Sequence, residues 1–130
     1  MADFSGDTPG PRACLFCGIV AGDIPSTEVL DTDTCYAFRD IKPAAPVHVL
    51  VVPKEHYESV EAVGSAEAVL LGDLFDAIRA VAAKEGIAES GYRVVTNVGE
   101  DAGQLVHHLH FHVLGGRSLR WPPKGSDAGG

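Results

Sequence analysis

"HHLHFHVLGG", residues 107–116, carries four of the chain's six histidines and closes on two glycines. In an extended strand successive side chains point to opposite faces. His108, His110 and His112 therefore share one face, and Leu109, Phe111 and Val113 share the other. A rise of about 3.3 Å per residue sets neighbours in the histidine row about 6.6 Å apart, close enough for the rings to act on one ligand or to hydrogen-bond in a chain. The apolar face needs a cover, and the histidine face then looks outward to a cleft. His107 falls on the apolar side and reads as structural or surface.

The cover is legible in the chain. Between Ser65 and Glu85, Val69, Leu70, Leu74, Phe75, Ile78, Val81 and Ala82 recur at helical spacing, which predicts a long amphipathic helix. Ser65 suits its N-cap and Gly86 its C-terminal stop. "CLFCGIVAG" (14–22) reads as a short helix closing at Gly22, and "STEVLDTDTCYAFRD" (26–40) as two strands around an Asp-Thr-Asp turn. "VHVLVVP" (47–53) is a β-branched run stopped by proline, the mark of a central strand. "YRVVTNVG" (92–99) and the histidine segment supply two more. Five strands and one major helix predict an α+β domain whose antiparallel sheet is covered on one face. Residues 1–12 and 124–130, rich in Gly, Pro, Ser and Asp, read as disordered tails around a single domain at 13–123.

The chain's 130 residues and 45% hydrophobic content suffice for one core. A net charge of −8 speaks against a nucleic-acid partner, which calls for a basic face. The N-terminus lacks the basic start and apolar stretch of a secretory signal, and nothing approaches a membrane span. Three cysteines make no even disulfide framework, so the expected compartment is a reducing cytoplasm, with Cys35 a buried small hydrophobe.

Three strictly alternating histidines argue against a merely solvated strand face. Two chemistries remain: a metal site, since alternating imidazoles can converge on one ion, and nucleophilic catalysis, since neutral imidazole attacks phosphorus or acyl carbon. The segment before the row, "NVGEDAGQLV" (97–106), has glycines at 99 and 103, so bare backbone amides can approach an anion such as phosphate.

"HLHFHVL" (108–114) resembles the signature of the histidine triad (HIT) superfamily. "IPSTEVL" (24–30), "YAFRDIKPAAPVHVLVVPKEH" (36–56), "GYRVVTNVGEDAGQ" (91–104) and "HVLGGRSLRWPP" (112–123) are similar to its Hint branch, the purine nucleoside phosphoramidases. The likeness runs from Cys14 to Pro123. It implies a HIT-like fold, a five-stranded antiparallel sheet with one long and one short helix, the sheet continuing across a homodimer. It also implies a hydrolase that cleaves the P–N bond of purine nucleoside 5′-phosphoramidates, conjugates of AMP or GMP, and also acyl adenylates, through a nucleotidyl-histidine. His110 is the implied nucleophile, His112 the phosphate and proton partner, His108 the residue that orients His110 through its backbone carbonyl, and His48 a fourth histidine beside the triad. Asp40 would hold the ribose, Leu15, Phe16, Ile41 and Leu50 would enclose the base, and Asn97, Gly103, Gln104 and the amides nearby would hold the phosphate.

Two features depart from the branch. Leu105 stands where Hint enzymes commonly carry Ser or Thr, so a hydroxyl beside the phosphate is absent though the backbone amide remains. "CLFC" is the second: similar proteins with this pair bind zinc with two histidines, which implies a structural zinc on Cys14, Cys17, His48 and His108. No cofactor is needed for the chemistry itself. The alternatives are a nucleotide-binding or interaction module of the same fold with little turnover, a relative that cleaves dinucleoside polyphosphates, and a zinc hydrolase that uses the triad as ligands.

Overall fold

The computed structural model describes residues 14–122; both expected tails lie outside the described residues, as do Ala13 and Pro123. Strands β1 (Glu28–Asp31), β2 (Cys35–Arg39), β3 (Val47–Pro53), β4 (Tyr92–Val95) and β5 (Phe111–Gly115) form one sheet in the order β1-β2-β3-β5-β4. Every neighbouring pair is antiparallel. Helix α1 (Leu15–Ala21) precedes the sheet and α2 (Ala68–Lys84) runs between β3 and β4. This is the α+β architecture the sequence predicts.

Alternation sorts the strand residues into two cores. Cys35 and Ala37 of β2, Val49 and Val51 of β3, and Phe111 and Val113 of β5 face α2, where Leu74, Ala77, Ile78, Val81 and Ala82 are buried. That spacing is the i, i+3, i+4, i+7, i+8 stripe of an amphipathic helix. On the opposite face Tyr36, Phe38, Leu50 and Val52 pack with Cys14, Phe16 and Ile19 of the α1 segment. The sheet is thus covered on both faces, not one, which explains why β3 is apolar almost without interruption. Burying each such Val, Leu or Phe contributes about 1.5–3 kcal/mol.

The stripe expected of α2 is corrected at two places. Val69 is 81% and Phe75 53% exposed, while Ala77 takes a core position. Ser65 is also not the N-cap: it opens a short 3-10 turn, Ser65–Glu67, whose Glu67 carboxylate accepts from the Gly64 amide at 2.7 Å. The C-terminal stop is as expected. Gly86 has φ +75°, and the amides of Gly86 and Ile87 donate to the Ala83 and Ala82 carbonyls at 3.2 and 3.0 Å, the Schellman pairing. Among the described residues no helix is long and apolar enough to cross a membrane.

The pairing of β5 between β3 and β4 builds the site. Leu50 stands opposite His112 and His48 opposite Leu114, so two imidazoles meet across neighbouring strands.

Candidate active site and thiol–imidazole cluster

The regular strand starts later than the histidine row predicts. Residues 107–110 precede β5 because their backbone groups are claimed elsewhere: the Leu109 amide donates to the Tyr57 carbonyl at 2.6 Å and the His110 carbonyl accepts from the Thr96 hydroxyl at 2.8 Å. Only part of the row faces a cavity: His110 and His112 line one and His108 does not. His108, His110 and His112 are all buried, with the edge of Phe16 from α1 set against His108 and His110 at ring separations of 6.0 and 5.1 Å. His107 is half-buried beside them.

Hydrogen bonds fix the tautomers. Nδ1 of His110 lies 2.6 Å from the His108 carbonyl oxygen. A carbonyl only accepts, so Nδ1 carries the hydrogen and Nε2 keeps its lone pair. Burial pushes the His110 pKa down, against the opposing pull of the His108 carbonyl and the Asp40 carboxylate, so the ring is held in its neutral form. The result is an imidazole with a free pair and a fixed orientation.

A second chain runs through β3. The Ala44 amide donates to Nδ1 of His48 at 2.9 Å, so the hydrogen of neutral His48 sits on Nε2, which lies 2.9 Å from Nδ1 of His112. His112 then accepts at Nδ1 and carries its own hydrogen on Nε2. The His112 ring, a donor at Nε2, thus stands 5.1 Å, ring to ring, from that of His110. Asp40 flanks this pair, with Oδ2 3.5 Å from His48 Nε2 and Oδ1 fixed by the Lys42 amide at 2.8 Å. Burial lowers the His48 pKa while the Asp40 charge opposes it.

These groups border a cavity of about 280 Å³ lined by Phe16, Asp40, Lys42, Leu50, Leu105, His110 and neighbouring residues that include His48 and His112. Its size is near the lower bound of small-ligand sites, roughly 300 Å³. A larger hollow of about 620 Å³ around Glu85, Ser90 and Arg117 has no imidazole or thiol in its lining. Of the residues expected to hold the nucleotide, Phe16, Asp40, Leu50 and Leu105 reach the wall of the smaller cavity. Leu15 and Ile41 do not, standing 47% and 92% exposed, and Asn97 and Gly103 are also outside the lining. The Gln104 side chain ties its loop to the segment after β3: it accepts from the Gly99 amide and donates to the Glu58 and Val106 carbonyls at 2.8–3.1 Å. The lining adds Lys42, Ala44 and Val106 to those expected.

His108 turns away from this cavity. Its Nε2 lies 2.9 Å from the Pro53 carbonyl, so Nε2 donates, and its Nδ1 pair faces Cys14 Sγ at 3.2 Å and Cys17 Sγ at 3.5 Å. The fourth member of the group is His56, with Nδ1 3.4 Å from Cys17 Sγ. The ligand set expected on Cys14, Cys17, His48 and His108 is therefore corrected at one position. His48 stands five residues before Pro53, about 16 Å away along the strand, and its nitrogens are engaged with Ala44 and His112. Nothing in the sequence singled out His56 beyond its place three residues after the proline that ends β3.

The four donors fit zinc. Zn–S and Zn–N bonds of about 2.3 and 2.0–2.1 Å at tetrahedral angles put S and N about 3.5 Å apart, which the 3.2–3.5 Å contacts match. The His108–Pro53 contact is the outer hydrogen bond that metal-bound imidazoles make. Without a metal, burial, with help from the Cys14 thiol, pushes Cys17 up to about 12, so it is no free nucleophile at neutral pH. Cys35 lies apart, buried in the α2-side core as expected.

Fold and site together define an α+β protein that presents imidazoles from adjacent strands of one sheet to a small-molecule cavity. The chain belongs to the HIT domain family, whose profile matches residues 21–119. It is 48% identical over 109 residues to an uncharacterized HIT-like protein of Synechococcus elongatus, covering 84% of this chain and 95% of that one. To Adenylylsulfatase HINT1 of Arabidopsis thaliana it is 41% identical over 119 residues, 89% of this chain and 80% of the relative. The fold matches a HIT family hydrolase from Legionella pneumophila with a TM-score of 0.83 at 44% identity, covering 85% and 99% of the two chains. It also matches a histidine triad nucleotide-binding protein from Candida albicans with a TM-score of 0.73 at 31% identity, covering 87% and 85%.

Proposed function

We propose that this chain is a nucleotide hydrolase that cleaves the P–N bond of purine nucleoside 5′-phosphoramidates, with His110 as nucleophile. The observation that carries this reading is the 2.6 Å contact of His110 Nδ1 with the His108 carbonyl, which leaves Nε2 as a free base at the cavity wall. The base would pack on Phe16, Leu50 and Val106, and Asp40, anchored by the Lys42 amide, would accept from the ribose hydroxyls. His110 Nε2 forms a bond to the α-phosphorus as the P–N bond breaks. The departing nitrogen takes a proton from solvent, which the water consumed in the second step later returns, and leaves as the amine, while His112 Nε2 donates a hydrogen bond to a phosphoryl oxygen. Water then attacks the same phosphorus, the bond to His110 breaks, and the nucleoside monophosphate is released.

Cys14, Cys17, His56 and His108 would hold a structural zinc. A zinc with four protein ligands supplies no activated water, only a fixed scaffold; the chemistry stays with His110 and His112. A homodimer fits the apolar surface. β4 is the last strand of the sheet among the described residues, Val94 on it is 39% exposed, and the half-exposed Phe75 packs on Phe111 of the adjacent strand.

A second reading has a specific observation behind it. Lys42 puts a cation on the cavity wall, and a relative carries the name adenylylsulfatase; adenylyl conjugates of acids are then substrates as well. Rapid acid-free quenching with an adenosine phosphoramidate, followed by denaturing mass spectrometry, should show a nucleotidyl adduct on His110. A wild-type protein that releases neither amine from the phosphoramidate nor sulfate from adenylyl sulfate, and forms no adduct with either, overturns both readings.

A further inference from the structure

One peptide unit links the cysteine–histidine cluster to the nucleophile. The His108 carbonyl accepts from His110 Nδ1 at 2.6 Å, and the amide on the other side of the same peptide, that of Leu109, donates to the Tyr57 carbonyl at 2.6 Å. A peptide is planar, so its C=O and N–H turn together. Loosening the hold of Tyr57 on the amide also swings the carbonyl that orients His110. Tyr57 directly follows His56, whose Nδ1 lies 3.4 Å from Cys17 Sγ and whose ring meets that of His108 edge-on at 5.0 Å. Residues 54–58 belong to no helix or strand. They are held by the Lys54 amide on the Thr34 carbonyl, by the Gln104 amide on the Glu58 carbonyl, and by His56 at the cluster.

We propose that the His56–Tyr57 segment is a positioning element for His110, which fixes the His108–Leu109 peptide and so ties the state of the thiol–imidazole cluster to the tautomer of the catalytic ring. Its consequence for turnover rests on the reading of His110 as nucleophile; the coupling itself does not. With the cluster intact, the Leu109 amide is protected and His110 keeps its hydrogen on Nδ1. With His56 released, Tyr57 relaxes, the carbonyl turns, and His110 populates the form with hydrogen on Nε2, which has no pair to offer phosphorus.

The test uses the full chain loaded with zinc, the same protein after chelation, and His56→Ala. Amide hydrogen exchange and imidazole nitrogen shifts are read by NMR. In His56→Ala the Leu109 amide should exchange at least about tenfold faster while Val49 and Val113 in the sheet keep their rates. His110 should change from one tautomer to a mixture, and kcat for a phosphoramidate should fall with KM unchanged. Unaltered Leu109 exchange together with an unaltered His110 tautomer overturns the proposal. Should His56→Ala lose the sheet protection too, chelated wild type decides by the same two readouts, selective loss supporting the proposal and no change defeating it. Neither readout needs turnover, so a wild type that hydrolyses nothing defeats the hydrolase reading and leaves this one to be judged separately.

Discussion

Cys17 Sγ lies 3.4 Å from Nδ1 of His56, thirty-nine positions along the chain, while Nε2 of His48 is engaged with Nδ1 of His112 at 2.9 Å. The two candidate zinc sets therefore separate by mutation. Native mass spectrometry should find one zinc per chain in wild type and in His48→Ala, and chelator competition should show weakened retention in His56→Ala. Loss of an outer-shell partner alone weakens a metal site about 10- to 100-fold, so loss of the ligand should cost at least that. Retention in His56→Ala with loss in His48→Ala would restore the set expected from the sequence.

How the sequence could foresee one histidine of the cluster and miss another is a matter of range. Period-two alternation is local, so the shared face of His110 and His112 follows from neighbours in the chain, whereas the second cover, α1 on the far face of β3, does not. The partner of a cysteine pair is not local: it depends on how residues after Pro53 turn back across the strand end, and no periodicity encodes that. Val69 and Phe75 repeat the helical spacing as well as Leu74 does, yet stand exposed, because a stripe gives a direction but not the width of the sheet beneath it. Gln104 differs for another reason. Its type suits phosphate binding, but bonds to the Gly99 amide and to the Glu58 and Val106 carbonyls leave the side chain committed.

His48 should titrate below the ordinary histidine pKa of about 6.5, because burial disfavours its cation more than the Asp40 carboxylate favours it. Asp40→Asn removes the favourable charge and should lower the value further, as read from imidazole shifts against pH. The stability consequence has a definite sign. A base with a depressed folded pKa lets the unfolded chain bind the proton first, so the contribution is intact above pH 6.5 and is lost as pH falls from there through the folded pKa. A His48 pKa that rises in Asp40→Asn would contradict the assignment of the two causes.

Phe75 and Val94 test the homodimer. Replacing an exposed residue of a monomer leaves stability within about 0.5 kcal/mol. At an interface the same change exposes the partner to a buried charge. Val94→Asp on the β4 edge and Phe75→Asp on α2 should each turn a dimer into a monomer in sedimentation velocity, at micromolar protein, without loss of the folded circular dichroism spectrum. Wild type sedimenting as a monomer over the same range would remove the homodimer.

Gly116, the second of the two glycines that end the histidine segment, packs against the start of β3. Gly116 has φ +92°, and a Cβ built there would lie 2.9 Å from Pro46 Cβ and 3.4 Å from the Val47 amide nitrogen. Both the backbone conformation and the space exclude a side chain, and Val47 leads directly into His48. Gly116→Ala should therefore destabilise by about 1–3 kcal/mol in denaturant melts and should disturb the His48–His112 contact. Gly72, in the middle of α2, has no neighbouring atom within 4 Å of such a Cβ and an ordinary φ. Gly72→Ala should stabilise by about 0.5–1 kcal/mol, the helical penalty of glycine being removed. Opposite signs for the two variants separate a glycine the fold requires from one it tolerates; equal destabilisation by both would show that crowding at Pro46 is not what makes Gly116 indispensable.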